Sequence, residues 1–120
     1  MGVDPFTERL ARVRHRFVSS LEGKIEDTYG ALPGLTGATP AAIEAVRETY
    51  RRIHSLVGVG PTVGFSATGS AARSLEIVLM PAHQAGRGLT DEEASAFRKT
   101  LHGLRDAASH ELRSFYAGWR

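Results

Sequence analysis

Thr39-Pro40-Ala41-Ala42-Ile43-Glu44-Ala45-Val46-Arg47-Glu48-Thr49-Tyr50-Arg51-Arg52-Ile53-His54-Ser55-Leu56-Val57-Gly58 reads as one amphipathic helix with both ends marked. Thr39 supplies a side-chain oxygen for the first free backbone N–H groups, and Pro40 suits the first helical position, where no N–H is needed. Ile43, Val46, Tyr50, Ile53 and Val57 recur three and four residues apart, which puts them on one face of a helix. Gly58, Gly60, Pro61 and Gly64 then terminate or loosen it.

The same period runs outward in both directions. Upstream, Phe6, Leu10, Val13, Phe17, Leu21, Ile25 and Tyr29 predict a helix of about seven turns. Gly23 is a candidate bend within it, and the Leu32–Ala38 stretch, with its proline and glycines, breaks it. Downstream, Phe65, Thr68, Ala72, Leu75 and Leu79 predict a third helix to about Pro81, followed by a loop over 83–88. Thr90-Asp91-Glu92-Glu93 is a capping box with acidic residues where the helix dipole favours them. Behind it Ala94, Phe97, Leu101, Leu104, Ala108, Leu112, Phe115 and Trp119 stripe the last helix.

No stretch alternates with the period of two that a half-buried strand requires. Four amphipathic helices joined by short connections predict an all-α, antiparallel up-down four-helix bundle. The 120 residues suffice for one domain with a modest core, with residues 1–7 either partly a cloning remnant or, through Asp4 and Pro5, the true helix start.

Composition narrows the classes of function. A net charge of +2 suits an acidic protein surface but falls short of a nucleic-acid footprint. The absence of cysteine excludes disulfides and thiolate metal sites and fits a reducing cytoplasm. No apolar run reaches the length of a membrane span. His15, His83, His102 and His110 form no helical His/His or His/Glu ligand spacing, so no metal site is expected.

His54 lies about 70° from the centre of its helix's apolar stripe, at the edge of the seam. Arg47, Arg51 and Gly58 are at i−7, i−3 and i+4 and share its face. A glycine inside a helix costs about 1 kcal/mol, and one use for it is to clear side-chain bulk from beside a reactive imidazole. The arginines offer positive potential to a phosphoryl group or an acidic docking surface.

The segment from His54 to Phe65 resembles the signature of histidine phosphotransfer (HPt) domains of two-component phosphorelays: a histidine, glycine four residues on (Gly58), a second glycine at ten (Gly64), then an apolar residue (Phe65). Leu75-Glu76, twenty-two residues after the histidine, resembles the family's Leu followed by Glu or Gln on the next helix. The resemblance is close over the middle third of the chain and extends, as four-helix architecture, over most of it. Val57 departs from the pattern, because many members carry lysine there; Arg47 or Arg51 would have to supply that charge.

The resemblance implies a relay protein in place of a self-sufficient enzyme. His54 would accept a phosphoryl group from, and return it to, aspartates of receiver domains or a histidine kinase. It implies no intrinsic cofactor, Mg²⁺ on the partner receiver domain, a monomer, and a response regulator or hybrid histidine kinase as partner. The chemistry needs a neutral imidazole fixed in one tautomer; Glu76 is the candidate partner for Nδ1–H, leaving Nε2 as nucleophile. Two other readings stand beside this one. The bundle could be a docking module that binds a receiver or kinase without accepting phosphate. Alternatively, the aromatic and basic tail from Arg113 to Arg120 could lie on a membrane surface, although Phe115 and Trp119 continue the core spacing.

Overall fold

The computed structural model describes residues 4–118. Four α-helices carry nearly all of them: α1 (Pro5–Ala31), α2 (Pro40–Val59), α3 (Ser66–Ala85) and α4 (Asp91–Ala117). Each runs antiparallel to the next, so the chain is an all-α up-down four-helix bundle. No strand is present among the described residues; Thr36 and Leu89 form one isolated bridge where the α1–α2 and α3–α4 connections meet. One core runs through the bundle, with Leu21, Ile53, Leu75, Leu79, Phe97, Leu101 and Leu104 fully buried.

The ends form largely where the sequence marks them. Thr39 accepts a hydrogen bond from the Ala42 N–H, with Pro40 first in α2. Thr90 and Glu93 complete the reciprocal capping box of α4. Gly23 does not break α1, which is continuous through it. α3 has no local side-chain cap; the Glu111 carboxylate of α4 accepts from the Thr68 N–H at 2.6 Å, the Thr68 hydroxyl at 2.7 Å and the Ala67 N–H at 3.3 Å. The start of α3 is therefore fixed by tertiary contact.

Three expectations need correction. The first is the end of α3. It continues past Pro81 to Ala85, because Pro81 is exposed while the next turn is anchored by buried Ala82 and by His83 against Tyr50. Gly86, at φ 64°, ends it, with the Arg87 N–H returning to the Ala82 carbonyl at 3.1 Å, a Schellman closure.

The second concerns the buried stripe of α2, which is Ala42, Val46, Thr49, Ile53 and Leu56. Ile43, Tyr50 and Val57 flank it half-buried, because α2 packs on both α1 and α3 and its buried arc is centred between them.

The third is the start of α1. Phe6 and Val13 are exposed and Leu10 is half-buried, so the predicted stripe becomes core only from Phe17 on. At 27 residues α1 and α4 are each about 10 Å longer than the 20-residue α2 and α3. Val13 and Phe17 lie level with Val59, the last residue of α2, so the first turns of α1 overhang the bundle. Phe115 packs on the core as expected, while Trp119 lies outside the described residues.

Candidate functional site

α2 and α3 build the site between them. Ile53 and Leu56 are buried, which rotates the intervening His54 outward, and its side chain is 66% exposed. On α3, Leu75 and Leu79 are buried and pull Glu76 in with them, so that its carboxylate is only 1% exposed. The two side chains meet: His54 Nδ1 is hydrogen-bonded to Glu76 Oε2. With that ring nitrogen turned inward, the opposite ring edge carrying Nε2 faces solvent.

Two further contacts fix the arrangement. The Arg73 guanidinium, one turn before Glu76, donates through Nη1 to Oε1, so each carboxylate oxygen has its own partner. Tyr50, one turn before His54, stacks nearly parallel to the imidazole at 5.8 Å and 8°. The other neighbour of that phenol is His83 on α3, at 3.9 Å. The imidazole is thus held at one nitrogen by a hydrogen bond and along one face by a ring.

Burial by itself would raise the Glu76 carboxyl. The hydrogen bonds from His54 and Arg73, reinforced by their positive charge, outweigh it and hold the group below its ordinary value. An ionised Glu76 accepts hydrogen bonds only, so the proton in the contact with His54 belongs to Nδ1. In the ring's neutral form, that assignment puts the lone pair on the outward Nε2.

The other residues singled out in the sequence divide into two groups. Gly58 is exposed beside His54, and a Cβ there would meet nothing within 4 Å. Gly64 takes φ 89° between the short 3₁₀ turn Pro61–Val63 and α3, a left-handed conformation that explains its glycine. Phe65 is buried between Phe17 at 5.2 Å and Phe115 at 6.1 Å, so its part is structural. Arg47 does not reach the site; it pairs with Glu44 at 2.8 Å on its own helix. Arg51 is exposed on α2, with no contact placing it against the His54–Glu76 pair.

Arg73 is the residue that sequence reasoning missed. Its signal was present as Arg-x-x-Glu, one helical turn, but such pairs are common on solvated faces and stand out only once the carboxylate is known to be buried.

The site is an open surface, not a cavity. A groove of about 330 Å³ between α1 and α4, lined by Ala11, Arg14, Val18, Phe115 and Tyr116, lies away from it. Among the described residues no group of three or more His, Asp and Glu side chains could hold a metal ion, and no helix is long and apolar enough to cross a membrane. Comparison with protein-family models, curated proteins and solved structures finds no match to this chain.

Proposed function

We propose that this chain is a histidine-containing phosphotransfer protein, relaying a phosphoryl group through Nε2 of His54. The observation that carries the reading is an exposed imidazole whose inner nitrogen is held by a buried carboxylate. A general surface histidine has no need of that second group, whereas a nucleophilic one needs its tautomer fixed.

In the step proposed, the Nε2 lone pair attacks phosphorus of an aspartyl phosphate on a receiver domain. The N–P bond forms as the P–O bond to the aspartyl carboxyl breaks, and that carboxylate leaves with the electron pair. Positive charge develops on the ring, and Glu76 stabilises it through the shared Nδ1 proton. Return of the phosphoryl group to a second aspartate reverses the sequence.

The surface supports docking of a large partner. Gly58 leaves the turn beyond His54 without a side chain, and half-buried Val57 and Val59 border it. Such a partner would be a receiver domain or hybrid histidine kinase, supplying its own Mg²⁺ and acidic pocket to a monomeric relay in the cytoplasm.

The test is phosphate transfer from an autophosphorylating histidine kinase and receiver, with wild type and His54→Gln compared. The expected result is acid-labile, base-stable label on the wild type and none on the variant. A receiver that binds both proteins while neither takes label would establish the non-phosphorylated docking module instead.

A further inference from the structure

A buried carboxylate requires a cation, because an uncompensated charge out of water is costly. Among the described residues, two groups touch that of Glu76: the Arg73 guanidinium on Oε1 and the His54 ring on Oε2. The choice between them has chemical consequences. An imidazolium serving as counter-ion carries a proton on both nitrogens and has no lone pair to attack with. Arg73 stays charged at any working pH and leaves the ring free of that duty.

We infer that Arg73 is a positioning residue: it is the counter-ion of Glu76, and by filling that place it keeps His54 a neutral, nucleophilic imidazole. The inference rests on the reading of His54 as the nucleophile. It differs from that reading in assigning the control of nucleophilicity to a side chain on the neighbouring helix.

The charged and titratable groups around the ring leave Arg73 in that position. On α2, Arg47 is occupied by Glu44, Arg51 is exposed, and Tyr50 offers its ring face. On α3, His83 lies on the far side of Tyr50. From α1, Arg16 and Lys24 line a shallow groove with Ser55 and Val59, on the adjoining face of α2. Among the described residues, Arg73 is the cation besides the His54 ring that contacts Glu76. Remove it and the remaining contact is His54, so its loss should favour the imidazolium form of that ring.

Diethyl pyrocarbonate reads this directly, since it acylates only unprotonated imidazole. The Nε2 lone pair attacks an anhydride carbonyl, an N–C bond forms, and ethyl carbonate leaves with the electrons of the broken C–O bond. Modification at His54 is resolved from that at the other histidines by peptide mass and followed between pH 6 and 8.5. Arg73→Ala should slow His54 several-fold at pH 6.5, approaching the roughly tenfold limit of a one-unit change in protonation equilibrium only at more acid pH. Its profile should move to higher pH and reach the wild-type plateau. Arg73→Gln, which keeps most of the side-chain length without charge, should behave as Arg73→Ala does, and Arg73→Lys should keep the wild-type profile.

The decisive variant is Arg73→Ala/Glu76→Gln. Glutamine still accepts the Nδ1 proton but has no charge to compensate, so the double variant should regain the wild-type rate. A wild-type profile in Arg73→Ala overturns the inference, and so does slowing that Glu76→Gln fails to relieve, which marks lost packing. The expected order of rates supports the inference even where the relay assay gives no label; that pair of results overturns the phosphotransfer reading alone.

Discussion

Gly58 stands one turn beyond His54 on the exposed face of α2, where an added methyl group would touch nothing. The helix therefore carries the entropic penalty of glycine with no intramolecular contact that requires it. Gly58→Ala should raise stability by about 0.5–1 kcal/mol, read as a higher denaturation midpoint at unchanged m-value. Gly58→Trp should fold equally well, yet slow phosphoryl transfer from a receiver far more than acylation of His54 by a small reagent. Equal slowing of both reactions would show that the bulk disturbs the imidazole itself and would remove Gly58 from the docking surface. At this scale the shared face of His54 and Gly58 was legible from helical spacing, and Glu76 was named as the partner of His54 through the resemblance, since it lies on the neighbouring helix. Arg73 was not, because the burial that makes Glu76 dependent on a cation comes from the packing of Leu75 and Leu79, which no local pattern reports. Arg47 was misplaced for the converse reason: sharing a face with His54 did not matter once Glu44, one turn away, took the guanidinium.

Among the elements, α4 has the most fully specified start. Arg87 grips Glu93 through both terminal nitrogens, at 2.7 and 3.2 Å, while the same carboxylate accepts from the Thr90 N–H. The Arg87 hydrogen bonds and, after them, the backbone bond lower the Glu93 carboxyl to about 2. Its folded value lies below the unfolded one, so the group's contribution is complete above pH about 4.5 and disappears as the pH falls toward about 2. Glu93→Gln should accordingly be less stable than wild type in urea at pH 7, with the gap narrowing through pH 4 and 3. A gap that stays constant across that range would assign the loss to amide geometry in the cap and not to charge. The capping box is readable from sequence because Thr90 and Glu93 lie within one turn. The start of α3 is not, since its cap is Glu111, forty-three residues away from Thr68. Pro81 misled for a related reason. Whether a proline ends a helix depends on whether the following turn has something to pack on, and Ala82 and His83 do.

Over the whole molecule, the site belongs to the α2–α3 pair, while one end of the bundle is closed by the α1–α2 and α3–α4 connections. There Leu89 N–H donates to the Leu35 carbonyl at 2.8 Å, and Gly88 lies so close to Gly37 that a Cβ would come within 2.2 Å of its carbonyl oxygen and 2.9 Å of that of Leu35. Both obstacles are backbone, so no rotamer change relieves them and the connections must separate. Gly88→Ala should therefore cost more than about 2 kcal/mol, in the range of mutations that force backbone apart. His54 lies fourteen residues into α2 from the end where those connections meet, which is about 21 Å along the axis. Its contacts to Tyr50 and Glu76 lie within α2 and α3, whose packing the strained connections do not enter. At a temperature where Gly88→Ala remains folded, the acylation profile of His54 should match that of wild type while the melting temperature falls by several degrees. A displaced profile in the folded variant would mean that the connections set the register of α2 against α3, making the imidazole–carboxylate contact a property of the entire bundle.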